Sequence, residues 1–314
     1  MISVNERAAT IARRMIAEAE VLGVRAETLS NGTTVIDAGI KEPGSFRAGK
    51  LFAEACLGGL GEVSFTHLSY GEFWLPGVSV QVEQPATACM AAQYAGWAIK
   101  RGKFFAMGSG PARALYAGEE LFQKLSYRDR SEEAVLLLEG RKKPTEEVAE
   151  YVASKCAMDP SCLILVIAPT ASLVGSVQIA ARVVETGLHK LTELGFDVEQ
   201  IVAGFGTCPV APVAADDLRA VGLTNDAVLY GGRAWYAVQA TDEALEAIID
   251  RIPSSASRDY GRPFYEIFQA YGGDFYQIDP LLFSPAEVVI NNLGSGKTYR
   301  AGRPNLDMLR RMLE

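Results

Sequence analysis

The chain has 314 residues, 49% hydrophobic and 22% charged, enough for one large or two ordinary globular domains and too apolar for intrinsic disorder. Its net charge of −8, with Lys and Arg scattered along the chain, argues against nucleic acid as a partner, because phosphate binding relies on clustered cations. The five cysteines, at 56, 89, 156, 162 and 208, include no CxxC pair, and with His67 and His189 no His/Cys set has zinc-ligand spacing; buried free thiols in a reducing cytosol, and no metal, are expected.

The first residues, Met1 to Arg7, lack the basic start and apolar core of a secretory signal, so the mature chain is expected to begin here. Ser3 and Glu6 form a capping-box pattern that opens a helix to about Leu22, with Ile11, Met15 and Ile16 as apolar positions. Strands over 24–29 and 33–38 are joined at Asn31-Gly32, a hairpin signal. Further helices are expected near 47–58, 85–100, 112–124, 145–156, 175–194, 214–221, 242–250, 263–271 and 304–313. Strands are expected near 62–66, 73–83, 103–107, 133–139, 162–167, 200–205, 227–239 and 286–291. Alternation of this kind with several hairpins predicts an α/β protein with mixed sheets. No Pro/Ser-rich linker or charged tract divides the chain; the expectation is two closely joined domains, 1–100 with 285–314 forming one and 101–284 the other. From Cys162 to Ala181 there are 20 residues without a charge, but Pro169, Thr170, Ser172, Ser176 and Gln178 break the run into a buried strand, a polar loop and a helix.

Three glycine-rich stretches invite a nucleotide reading. Gly294-Ser295-Gly296-Lys297-Thr298 resembles a phosphate loop, but the first glycine of that motif is replaced by Asn291, and the flanks read strand, tight turn, strand. Gly108-Ser109-Gly110 and Gly204-Phe205-Gly206 fail the dinucleotide fingerprint, whose third glycine is Arg113 in one and Pro209 in the other. A Rossmann or P-loop fold is therefore not expected, and these glycines are read as loops that a ligand or another segment approaches closely. The richest candidate for chemistry is the polar loop after the 162–167 strand, Ala168-Pro169-Thr170-Ala171-Ser172, which feeds a helix. On that helix Val177, Ala180, Ala181, Val184, Leu188 and Leu191 share an apolar face, and Arg182, Glu185 and His189 another. By spacing alone, Arg182 and Glu185 are an ordinary i,i+3 surface ion pair, and His189 is a last-turn cation. Thr224-Asn225-Asp226 reads as a self-satisfied turn, and the 253–264 stretch as a cap for a helix opening at Pro263.

As a set, however, GSGPAR at 108–113, APTASLVGSVQIAARVVET at 168–186, TNDA at 224–227, SRDYGRPFYEIF at 257–268 and DFYQIDPLLFSPAEVVINNLGSGKTY at 274–299 resemble the methenyltetrahydromethanopterin cyclohydrolase family. With SVNERAA at 3–9 they span the chain in the family's order, and the NLGSGKTY run becomes one of its segments. The resemblance implies a cytosolic enzyme of one-carbon metabolism, in methanogenesis or methylotrophy, that interconverts N5,N10-methenyl-tetrahydromethanopterin plus water with N5-formyl-tetrahydromethanopterin. It implies two α/β domains enclosing a deep pocket, a homotrimer, a tetrahydromethanopterin derivative as substrate, and no metal or redox cofactor, membrane or nucleic acid. The glutamate of the Arg-x-x-Glu-Thr segment, here Glu185, is implied as the acid and base, with Arg182 beside it. Around the pterin and its arm the expected binding residues are Ser109, Arg113, Thr170, Ser172, Asn225 and Asp226, with Gly108 and Gly110 allowing close approach. A hydrolase of another pterin or folate carrier, or a carrier-binding protein without chemistry, is the alternative.

Overall fold

A computed structural model describes residues 2–273 and 277–314; Met1, and the Asp274, Phe275 and Tyr276 that begin the DFYQIDPLLF segment, lie outside the described residues. Helix α1 (Val4–Ala17) starts where Ser3 accepts a hydrogen bond from the Glu6 N–H at 3.2 Å, the expected cap. After α2 (Ala19–Leu22), strands β1 (Arg25–Thr28) and β2 (Thr34–Asp37) pair antiparallel across Gly32, whose φ of +88° is the reason a glycine follows Asn31. There follow α3 (Phe46–Cys56), β3 (Gly61–Tyr70), β4 (Phe73–Glu83), β5 (Trp97–Arg101), β6 (Phe104–Ser109), α4 (Ala112–Tyr116), β7 (Ala134–Glu139), α5 (Glu146–Lys155), β8 (Leu163–Ala168) and α6 (Leu173–Ala180). The chain continues through α7 (Val183–Glu193), β9 (Ile201–Pro209), α8 (Asp217–Gly231), β10 (Arg233–Val238), α9 (Asp242–Glu246), α10 (Phe264–Ala270), β11 (Glu287–Asn292), β12 (Thr298–Gly302) and α11 (Leu306–Arg311). No helix among the described residues is long and apolar enough to cross a membrane.

The strands form two six-stranded mixed sheets, ordered β1-β2-β8-β7-β6-β5 and β12-β11-β10-β9-β4-β3, the α/β architecture expected. One compact unit comprises Met1–Gly61 and Thr87–Gln178, the other Glu62–Ala86 and Ile179–Glu314. This division differs from the expected 1–100 with 285–314 and 101–284. Strand pairing gathers the units: β4 joins β9 antiparallel, and β11 lies parallel to β10, so early and late segments share the second sheet.

In the first unit β2, β8 and β7 run parallel and are covered on both faces. Ile36, Val135, Leu137 and Val166 pack with Ala8, Ala12, Leu51 and Phe52, while Leu136, Leu138, Leu165 and Ile167 pack with Val148 and Val152 of α5. Burial on both faces is why β7 and β8 read as unbroken apolar runs. The second sheet instead alternates: Gly204, Gly206 and Cys208 of β9 face inward, while Phe205 and, on β10, Trp235 are exposed. Gly204 and Gly206 lie within β9 rather than in a loop. A Cβ on either would stand 2.6 and 2.7 Å from Val184 and Val183, so the segment they admit is α7.

Several expected elements take another form. The 85–100 helix is a π-helical turn, Ala86–Gln93, followed by β5, in which Trp97 and Ile99 alternate with exposed Ala98 and Lys100. The 112–124 helix stops at Tyr116 and resumes as a 3₁₀ turn, Glu120–Gln123. The 175–194 helix divides into α6 and α7 at Ala181-Arg182. Finally α8 runs through Thr224-Asn225-Asp226 to Gly231, displacing the strand expected from 227 to Arg233. Thr224 Oγ1 and Asn225 Nδ2 donate to the Ala220 and Val221 carbonyls at 2.7 and 2.8 Å, so these turn-forming side chains are satisfied inside the helix.

Candidate active site

In the first unit, β7 and β8 end together with Glu139 opposite Ala168, at the carboxyl ends of parallel strands where ligands of open α/β sheets bind. The loop beyond β8 is braced internally. Ser172 Oγ donates to the Pro169 carbonyl at 2.7 Å and accepts from the Gly175 N–H at 2.9 Å, which turns the chain into α6. Gly175 is required there, because a Cβ would lie 2.3 and 2.4 Å from the Thr170 and Pro169 carbonyl oxygens. Thr170 Oγ1 and Gln178 Nε2 then converge on one carboxylate, donating to Glu139 Oε1 and Oε2 at 2.6 and 2.9 Å.

The GSGPAR segment lies elsewhere in this unit. Strand β6 is antiparallel to β7, with Met107 opposite Glu139 and Ser109 opposite Leu137, so Ser109 and Gly110 lie back along the sheet from that edge. Ser109 is buried with its Oγ 3.4 Å from Cys56 Sγ, and a Cβ on Gly108 would stand 3.0 Å from the Trp97 carbonyl. Gly110 has φ +101° and donates its N–H to the Ala92 carbonyl at 2.8 Å. Arg113 is fully buried: Nε and Nη2 grip Glu119 at 2.7 and 2.6 Å, and Nη1 donates to the Met90 and Ala92 carbonyls at 3.1 and 3.0 Å. Its guanidinium thus caps the carbonyls of the π-helical turn, an internal duty in place of the ligand contact expected for it.

In the second unit Arg182 immediately precedes α7 and Glu185 lies in its first turn, with Nη1 and Oε2 3.5 Å apart. Their side chains are only 11% and 7% exposed, so the surface ion pair read from spacing is in fact enclosed. The first turn is pinned from several sides. Thr186 Oγ1 donates to the Arg182 carbonyl at 2.9 Å, and the fully buried Tyr236 donates its hydroxyl to the Val184 carbonyl at 2.8 Å. A Cβ on Gly187 would lie 1.9 Å from that hydroxyl, so Gly187 is what lets Tyr236 reach the helix. The helix start also favours a carboxylate electrostatically. His189 pairs with Glu193 at 3.6 Å, and the buried Lys190 donates to the Leu281 carbonyl. Burial lowers the Lys190 ammonium to about 8, with Arg251 adding to that shift and Asp279 opposing it.

Asp226, on α8, accepts the Phe264 N–H at 2.8 Å where α10 begins. Burial lifts its carboxyl to about 7, Glu266 adding and the Phe264 N–H opposing. The NLGSGKT run is the β11–β12 hairpin: Asn292 N–H bonds the Lys297 carbonyl at 2.9 Å, Gly296 has φ +76°, and Lys297 Nζ sits 3.0 Å from Asp242. It cradles nothing.

A family model described as Cyclohydrolase (MCH) matches residues 3–313. The chain belongs to this family. It is 46% identical to the methenyltetrahydromethanopterin cyclohydrolase of Methanocaldococcus jannaschii over 318 residues, covering 100% of this chain and 98% of the relative. The enzymes of that name from Methanococcoides burtonii and Methylobacillus flagellatus are 43% and 45% identical, over 98% of this chain and 97% and 94% of theirs. The family read from the motifs is therefore the family to which the chain belongs.

Sequence reasoning missed Glu139, Gln178, Tyr236 and Lys190. A charge closing the otherwise apolar AVLLLE run pointed to Glu139, and Gln178 lay within the quoted 168–186 segment. Nothing local distinguished Tyr236 or Lys190, whose partners lie 52 and 91 residues away.

Proposed function

We propose that this chain interconverts N5,N10-methenyl-tetrahydromethanopterin plus water with N5-formyl-tetrahydromethanopterin, as a hydrolase of a cyclic amidine C–N bond. The observation that carries the chemistry is the enclosed Arg182–Glu185 pair at the pinned start of α7; the substrate follows from the names of the relatives.

The methenyl carbon lies between two nitrogens in an amidinium-like cation and is electrophilic without a Lewis acid. Hydration needs a base for the attacking water and a donor for the departing nitrogen. Glu185 takes a proton as the water oxygen bonds to carbon, giving a neutral tetrahedral adduct. It returns that proton to N10 as the C–N10 bond breaks, and the adduct hydroxyl loses its proton to solvent as the N5-formyl group forms. Each hydrolysis releases one proton. Arg182 orients the carboxylate, and the fixed backbone of Val184 and Thr186 holds it in line. Attraction of the carboxylate to the substrate cation aids binding but does not itself accelerate the step.

No metal or redox cofactor takes part in this proposal. The proposal extends to a cytosolic homotrimer. The open face of the second sheet, where a groove of about 530 Å³ is lined by Phe205, Trp235 and Val289 with Arg233, Glu287 and Arg300, supports self-association. The test is loss of the methenyl absorption band, run in parallel on methenyl-tetrahydromethanopterin and methenyl-tetrahydrofolate. Enzyme-independent, equal rates for both would sink the reading. Glu185→Gln is expected to lower turnover by about 10²–10⁴-fold with substrate binding still measurable; near-normal turnover would reject Glu185 as the acid and base.

A further inference from the structure

We propose that Glu139 is the residue that reads the pterin ring, accepting the two neighbouring N–H groups of a 2-amino-4-oxo pyrimidine edge on its two carboxylate oxygens. This rests on the pterin substrate proposed above.

Three observations converge on Glu139. Five buried residues of β7 lead to this half-buried carboxylate at the carboxyl end of a parallel strand, so the strand delivers a charge where ligands of such sheets bind. Each oxygen already accepts one hydrogen bond, from Thr170 at 2.6 Å and from Gln178 at 2.9 Å, and both donors are buried. A carboxylate oxygen has two acceptor sites, so one remains on each, in a plane that the two donors fix. Finally, the donors are neutral, and no Lys or Arg among the described residues pairs with Glu139. Asp37, at the end of the neighbouring parallel strand β2, differs: it takes the N–H groups of Gly39, Ile40 and Lys41 and has Lys143 3.8 Å away. Its charge is spent on its own loop.

A fixed carboxylate with no cationic partner among the described residues complements two parallel N–H donors, the geometry of the carboxylate–guanidinium fork. The N3–H and 2-amino groups of a pterin present that fork. Thr170, expected to touch the substrate, serves on this reading by holding Glu139, as does Gln178. Replacing the 2-amino group by oxygen turns one donor into an acceptor facing a carboxylate, which the subsite should reject.

The experiment compares binding of 6-hydroxymethylpterin with that of its 2-oxo analogue, 6-hydroxymethyllumazine, to the intact protein. The wild type is expected to favour the pterin by about a hundredfold. Equal affinities would overturn the proposal whatever the variants do. In Glu139→Gln, whose amide offers one acceptor and one donor, the preference is expected to level or invert, with KM for the methenyl substrate rising about a hundredfold and kcat changing less. Thr170→Val, which keeps the charge and loosens its plane, should lie between. An unchanged KM and preference in a folded Glu139→Gln protein would also overturn it. Guanosine carries the same edge, so binding as tight as the pterin's would assign the subsite to purines and count against a pterin reader. Wild-type protein that prefers the pterin through Glu139 but does not turn over the methenyl substrate would leave the subsite standing and refute the cyclohydrolase reading; turnover without the preference would do the reverse.

Discussion

Asp226→Asn is expected to stabilise the protein increasingly as pH rises from 5 to 7. The Asp226 carboxyl, buried and raised from 3.8 to about 7, stays protonated in the folded state over a range where the unfolded chain ionises. Folded protein then binds more protons than unfolded, so the stability it contributes is full below the unfolded value, falls as pH rises and is lost by the folded value. The slope is about 1.4 kcal/mol per pH unit and halves at the folded value, so the wild type should lose about 2 kcal/mol between pH 5 and 7 through this group alone. Asparagine keeps an oxygen for the Phe264 N–H and does not titrate. Its added NH₂ brings a buried donor that costs about 1–3 kcal/mol at every pH, so the informative quantity is the change in the variant-minus-wild-type difference, not its value at one pH. Urea denaturation of both proteins at pH 5, 6, 7 and 8, at fixed protein concentration, measures it. Stability profiles that stay parallel across this range would refute the assignment.

Arg113→Met should destabilise the protein by about 3–5 kcal/mol in urea denaturation, because it strands Glu119 and leaves the carbonyls at Met90 and Ala92 without their donor. Gly187→Ala should cost about 1–3 kcal/mol and depress kcat, since the new methyl displaces the Tyr236 hydroxyl that steadies the turn carrying Glu185. Adding Tyr236→Phe should recover part of that stability, a non-additivity that a double-mutant cycle detects. Lys297→Ala should leave kcat and KM unchanged and reveal no ATP binding to lose, because that lysine merely pairs with Asp242 and Glu246 beside a hairpin turn.

Legibility varied along the chain for physical reasons. Ser3, Asn31-Gly32 and Gly296 act through local geometry, and the cap and both hairpins lie where they were expected. The 85–100 segment misled because small apolar residues suit a helix, yet only Ala86–Gln93 turns, its end held by Arg113 from a distant element. Thr224-Asn225-Asp226 misled in the opposite sense: turn-forming side chains bonded back to their own helix. At the site, Arg182 and Glu185 were named from the motif, but their spacing is common to exposed helices, and enclosure by packing is not written in an i,i+3 interval.

By itself the sequence determined the family, the α/β class with mixed sheets and the dismissal of the phosphate-loop reading, because motif order, apolar periodicity and turn chemistry are properties of neighbouring residues. Only the tertiary structure decided which residues share a unit, that Arg113 is a buried cap, that the Arg182–Glu185 pair is enclosed, and that Thr170 and Gln178 meet on Glu139. Thr170 and Gln178 reach Glu139 across 31 and 39 positions, and β4 pairs with β9 with Gly77 opposite Pro209. Burial and pairing at such separations are settled by how strands and helices pack, which no local pattern encodes.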